Sequence, residues 1–285
     1  MNLDPEAPSP ATARSEATKT GSSPDAAPKR SLEEFRAEHS ATLFGIRDGV
    51  YVIPEDARNE GDQKEERRHL LAVVPSGVRT GTALYGTRSP EAAIRTAPHR
   101  RIAPRYGRDR NGLMAHTFFY PTVVTYVYPG DLNDYRGSLG NAEADPLRRQ
   151  IKSAFGIGEK RSGDEGVDVR SWRGRIVEVP AEIETKHGFR FGMVLTCHSH
   201  SVYCYDQLVV PLFVSDPALD DPEQDVVSDS NECQSLLETS DPVVWVVPML
   251  FTLHQKRQPL KDTGQVISEG DLQRVEDVLV TRFGL

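Results

Sequence analysis

Thr263 to Leu285 read TGQVISEGDLQRVEDVLVTRFGL, a glycine turn at Gly264 followed by a run in which Val275, Leu279 and Phe283 recur at i, i+4 and i+8 before Gly284-Leu285. That spacing places three apolar side chains on one face of a helix, and a glycine just past the last of them is a C-terminal stop. The same pattern occurs once more in the chain. Gly137 precedes Leu147, Ile151 and Phe155, and Gly156-Ile157 ends the run. In front of each helix stands an apolar, β-rich stretch, Phe118 to Val127 (FFYPTVVTYV) and Val243 to Phe251 (VVWVVPMLF).

Working further back, the correspondence holds. Gly49 to Pro54 (GVYVIP) matches Gly174 to Pro180 (GRIVEVP). Each leads through a charged loop and an arginine, Arg68 or Arg190, to a second strand at Leu70–Val74 or Met193–Thr196. A third strand follows at Thr82–Gly86 or Leu208–Val214. Each copy is therefore β-β-β-loop-β-helix in about 110 residues, the size of one small domain. The expected organisation is a first domain over 45–158, a linker over 159–171 and a second domain over 172–285.

The first 30 residues hold five prolines and many Ala, Ser and Thr with little to bury, the composition of a disordered tail without the apolar core of a secretion signal. Ser31 with Glu34 forms a capping box, so 31–44 is expected to contain a lead-in helix. The longest apolar run is far too short to span a bilayer. Three cysteines, all in the second copy, leave one unpaired and point to a reducing, cytoplasmic compartment.

Charge divides the copies. Residues 41–160 carry 18 Lys and Arg against 14 Asp and Glu, whereas 161–285 carry 11 against 21. The difference concentrates between the third and fourth strands. There the first copy has Arg88, Arg95, Arg100, Arg101, Arg105, Arg108 and Arg110, with His99 and Tyr106 interleaved; the second, over 214–241, has nine acids, among them Asp216, Asp220, Asp221, Glu223 and Asp225, and no Lys or Arg. Guanidinium is planar, permanently charged and weakly hydrated, so it pairs with phosphate and stacks on bases. The arginine loop thus reads as a nucleic-acid contact surface, or more plainly as a solvated charged loop. The acidic excursion reads as a solubilising insertion or as a decoy lying over the arginine loop.

The glycine-led first strand, the arginine before the second, a third strand ending near a threonine, and the terminal turn and helix with Gly264, Ser268, Asp271 and Leu272 in characteristic order together resemble the PemK/MazF toxins. The resemblance is clearest over Thr263–Leu285, weaker over Gly174–Val214, and reaches the first copy through the repeat. It implies a mainly β fold with C-terminal helices: two tandem SH3-like barrels forming a pseudo-dimer within one chain. The implied activity is metal-independent cleavage of single-stranded RNA without a cofactor, with a cognate antitoxin protein as a second kind of partner. The 2′-hydroxyl attacks phosphorus, and the enzyme stabilises the phosphorane oxygens. An arginine and a hydroxyl suit that task.

In the first copy these residues are Arg68 and Thr87; in the second, Arg190 is present but Phe213 stands where the hydroxyl is wanted, and Ser215 substitutes only if the register shifts by two residues. The family's proline after the arginine is replaced by His69 and Phe191. The alternative is a catalytically inactive RNA- or protein-binding module of the same fold, with Arg68 an ordinary member of the charged run KEERR and Thr87 a turn residue. His198 and His200 flank Ser199 and would share a strand face, but no further ligand follows at a familiar spacing, and no metal is expected. Trp172 and Trp245 read as core or interface residues rather than base platforms.

Overall fold

The computed structural model describes residues 49–52, 69–74, 81–87, 99–127, 134–198, 206–218 and 220–285. The expected tail, the lead-in helix, Arg68, Arg88, Arg95, His200 and Cys204 lie outside the described residues.

The described chain is mainly β. In the first half β1 (Gly49–Val52), β2 (His69–Val74), β3 (Gly81–Thr87), β4 (Arg100–Ile102), β5 (Thr117–Val127) and β6 (Asp134–Ser138) precede helix α1 (Asn141–Ala154). In the second, β7 (Arg175–Glu178), α2 (Ala181–His187), β8 (Phe191–Val194), β9 (Asp206–Val214), β10 (Asp225–Ser228), α3 (Asn231–Leu236), β11 (Val243–Val246), β12 (Phe251–His254) and β13 (Lys261–Val266) precede the C-terminal helix α4 (Glu269–Phe283).

The first sheet has the order β4-β5-β3-β2-β1-β6, and the second β10-β11-β9-β8-β7-β13 with β12 also on β9. The two orders correspond strand for strand, and every pairing is antiparallel. Closure into a barrel requires the two end strands to pair. Among the described residues each sheet is instead an open path: its end strands, β4 and β6 in the first and β10 and β13 in the second, are not paired with each other, and each excursion contributes the outer strand beyond β5 or β11.

The expected single strand Val243–Phe251 is two, with Val247–Leu250 between them. Pro248 has no N–H for a ladder, which accounts for a break at that point. In β5 the register shifts between Gly86↔Phe119 and Leu84↔Val124, around Pro121. The two proline breaks meet at the junction of the halves. Thr82 Oγ1 donates to Pro248 O at 3.0 Å, and Thr252 Oγ1 accepts from Val124 N at 2.8 Å while donating to Thr122 O at 2.7 Å.

One apolar core serves both halves, running from Val50, Leu84, Phe119 and Leu147 to Met193, Trp245, Val275 and Phe283. Phe155 and Phe283, the last apolar residues of the two periodic runs, meet edge to face at 5.3 Å. Ser268 caps α4 by accepting from Asp271 N at 3.0 Å, and Gly284 ends it at φ +63°. Trp245 is wholly buried in this core, and Trp172 packs against a smaller cluster formed by Val177, Phe189 and Val209.

The acidic excursion differs from an open loop. It contains β10 and α3, and it lies along α4: Arg274 Nη1 donates to Val227 O at 2.8 Å, Arg282 pairs with Glu223, and Ser228 Oγ donates to Asp271 at 2.5 Å. Arg282 neutralises part of its charge through Glu223.

Candidate nucleic-acid interface

Antiparallel pairing brings the described candidate residues of the first half to one end of the first sheet. Thr87, the last residue of β3, is opposite Phe118 on β5, and Phe118 is opposite Arg101 on β4. Residues paired directly across strands share a face, so Thr87, Phe118 and Arg101 form one row. Arg101 Cζ lies 6.0 Å from the Phe118 ring centroid, within reach of a cation–π contact.

Two residues earlier on the same face, His99 packs its ring 5.5 Å from Phe118 and 5.5 Å from Tyr120. Burial raises the Tyr120 hydroxyl pKa above its usual value. On the opposite, inward face lie Phe119, Ile102 and Gly86, where a Cβ would come within 2.7 Å of Phe119 and Thr117. His69, at the start of β2, pairs with Gly86, so the strand that follows Arg68 in sequence begins beside Thr87.

Past the Thr87 row the chain makes one more pair, Ile102 with Thr117, before the 103–116 loop. This loop is built around Asn111, which is fully buried. Its Oδ1 accepts from Arg105 N at 3.0 Å and Leu113 N at 3.3 Å, and its Nδ2 donates to Ala103 O at 2.8 Å and Glu143 Oε1 at 3.3 Å. Glu143, in the first turn of α1, also pairs with Arg105 Nε at 3.0 Å.

Gly112 at φ +79° passes so close to β6 that a Cβ would meet Arg136 Cβ at 2.6 Å. Loop, strand β6 and helix α1 are thereby locked together. Of the candidate arginines, Arg105 is held by Glu143, and Arg101 rests over Phe118. Arg100 is half-buried on the other face, while Arg108 and Arg110 are exposed.

The corresponding end of the second sheet has different chemistry. Phe213 is opposite Val244, which is opposite Val227. This row matches Thr87–Phe118–Arg101 position for position, with neither hydroxyl nor cation. No two-residue shift occurs, so Ser215 does not take the hydroxyl's place; it lies beyond the strand, donating to Asp220 at 2.5 Å.

Arg190 is engaged by Glu178 through Nη2 at 2.7 Å and Nε at 2.8 Å. Hydrogen bonds from Lys261 and Arg190 hold the Glu178 carboxyl below the usual carboxylate range, and Glu178 in turn raises Arg190. His198 uses its backbone N–H to bond Glu159 at 2.8 Å. No group of three or more metal-ligating side chains occurs among the described residues, and no described helix is long and apolar enough to cross a membrane.

No family model matches the chain, and no curated protein matches it.

The sequence left Asn111 and Glu143 unnoticed. Asn-Gly signals a turn, but nothing local marks this asparagine as the buried hub of that turn. His99 and Phe118, 19 positions apart, become neighbours only through the β4–β5 pairing.

Proposed function

We propose that the chain is a PemK/MazF-like protein that cleaves single-stranded RNA without a metal, with its site at the Thr87 end of the first sheet. The supporting observation is the row Thr87–Phe118–Arg101, with His99 stacked beside it and the arginine loop leaving from the next pair. A hydroxyl positions a phosphate oxygen, guanidinium groups stabilise developing charge, and aromatic rings receive bases. In this reading Arg68 supplies the charge at the reacting phosphate.

The equivalent strand orders support reading the two halves as a tandem duplication of an SH3-like domain, a pseudo-dimer whose second half is structural. A cytoplasmic setting and a cognate antitoxin belong to the same proposal.

Purified protein incubated with a long single-stranded RNA in EDTA is expected to give discrete cuts. Arg68→Ala and Thr87→Ala are each expected to lower the rate by about 10²–10³-fold, the usual effect of losing one transition-state donor. Intact RNA that is nevertheless retarded in a gel would replace the nuclease by the non-catalytic RNA-binding reading, which the loss of the hydroxyl at Phe213 favours. Intact, unretarded RNA would sink both.

A further inference from the structure

The buried Asn111 and the close approach of Gly112 to β6 fix the 103–116 loop and seat its Leu113 in the core, and the rest of the loop is carried on that support at the surface. Tyr106 is 73% exposed and Met114 70% exposed, the two most exposed large hydrophobic residues among the described residues of the first half. Both stand on this loop, with exposed Arg108 and Arg110 between them in sequence.

Tyr106 immediately precedes the short 3₁₀ turn Gly107–Asp109 and is itself extended, at φ −119°. The backbone beside it is tied down at Arg105 N by Asn111, and the Arg105 side chain by Glu143. An aromatic ring held out into solvent on a fixed backbone loses little conformational freedom when something stacks on it. Exposed cations on the same loop select an anion-bearing partner, and a planar partner with phosphates on either side is an unpaired nucleotide.

We infer that the 103–116 loop is a second contact point for single-stranded nucleic acid, where Tyr106 stacks on an unpaired base and Arg108 and Arg110 meet the flanking phosphates. The inference rests on the RNA reading above and extends it to residues outside the Thr87 row. The loop starts from the pair next to that row, so a strand crossing the Thr87 end of the sheet continues onto it without a long gap.

The test is fluorescence anisotropy with a labelled single-stranded RNA of about 12 nucleotides, comparing the full chain with Tyr106→Ala and Tyr106→Phe. A parallel series uses an oligomer of the same length with abasic positions, and vesicles containing phosphatidylserine serve as a second probe. Tyr106→Ala is expected to weaken RNA binding about tenfold, within the range for losing one base–aromatic stack. Tyr106→Phe should retain affinity, and the alanine effect should vanish on the abasic oligomer.

Because Tyr106 is exposed, the variants should melt with the parent. If the parent binds RNA and Tyr106→Ala binds equally well, the loop inference fails while the RNA reading stands. If the parent binds no RNA, both fail. Tyr106-dependent binding to the vesicles but not to RNA would replace the nucleic acid by an anionic membrane surface and overturn the inference.

Discussion

Replacing Arg173 with methionine removes a cation buried between the two terminal helices of the repeat. The Arg173 side chain is 0% exposed. Its Nη1 donates to Phe155 O at 2.8 Å, at the C-terminal end of α1, and also to Leu195 O; its Nε donates to Glu159 O at 3.2 Å. Its Nη2 pairs with Glu276 on α4, whose other oxygen accepts from Gly158 N at 2.9 Å. Desolvation pushes the guanidinium pKa down, and Glu276 opposes that shift.

Methionine fills similar space but donates nothing. Three carbonyls lose a donor, and the Glu276 carboxylate stays buried without its counter-charge. Removing one partner of a buried pair costs about 3–5 kcal/mol, which for a chain of this size lowers the melting temperature by about 10 °C. The assay is thermal and urea unfolding followed by tryptophan fluorescence and by circular dichroism. The double variant Arg173→Met with Glu276→Leu should recover part of the loss, since the stranded charge is gone. A single variant melting within about 2 °C of the parent, or a double variant no better than the sum of the singles, would refute the claim that this pair clamps the halves together.

Two more outcomes follow from local geometry. Asn111→Ala should destabilise by about 3 kcal/mol, since four hydrogen bonds worth about 1 kcal/mol each are removed and partly replaced by water. It should also weaken RNA binding in the same anisotropy assay, whereas a parent-like melting curve would show that the loop does not depend on its hub. Asp168 accepts from Arg170 Nη2 at 2.7 Å, and those hydrogen bonds lower its pKa from 3.8 to about 2. A depressed carboxylate stabilises the native state above its unfolded pKa, and that contribution fades as pH falls from 3.8 toward 2. Carbon-detected NMR titration should therefore place Asp168 near 2 in the parent and higher in Arg170→Ala, though still below 3.8 because the backbone N–H of residue 170 continues to donate; equal midpoints would dismiss the side-chain pairing.

Much of the local architecture was legible in the sequence, for stated physical reasons. Helical periodicity and a terminal glycine predicted both long helices, and alternation predicted the strands at Val50, Leu70, Thr82, Ile176, Met193 and Leu208. Short elements escaped. β4 has three residues and α3 six, too few for any period to register, and both lie in stretches whose charge suggests open loop. The register that sets Phe213 opposite Val244 agrees with the sequence correspondence of Phe213 with Thr87. The packing of the acidic excursion along α4 was not legible, because its partners there, Arg274 and Arg282, are far away in sequence and its charge pattern points to any cation equally well.

By itself the sequence determined what each segment is: where apolar residues recur, where a helix must stop, and which half carries the arginines. Those properties are written within a few residues of one another. Tertiary structure decided what faces what. It joined His99, Phe118 and Arg101 into one surface through strand pairing, buried Asn111 as the support of an exposed tyrosine, and closed Arg173 onto Glu276 across 103 positions of chain. Such contacts depend on register and packing, which no local pattern encodes.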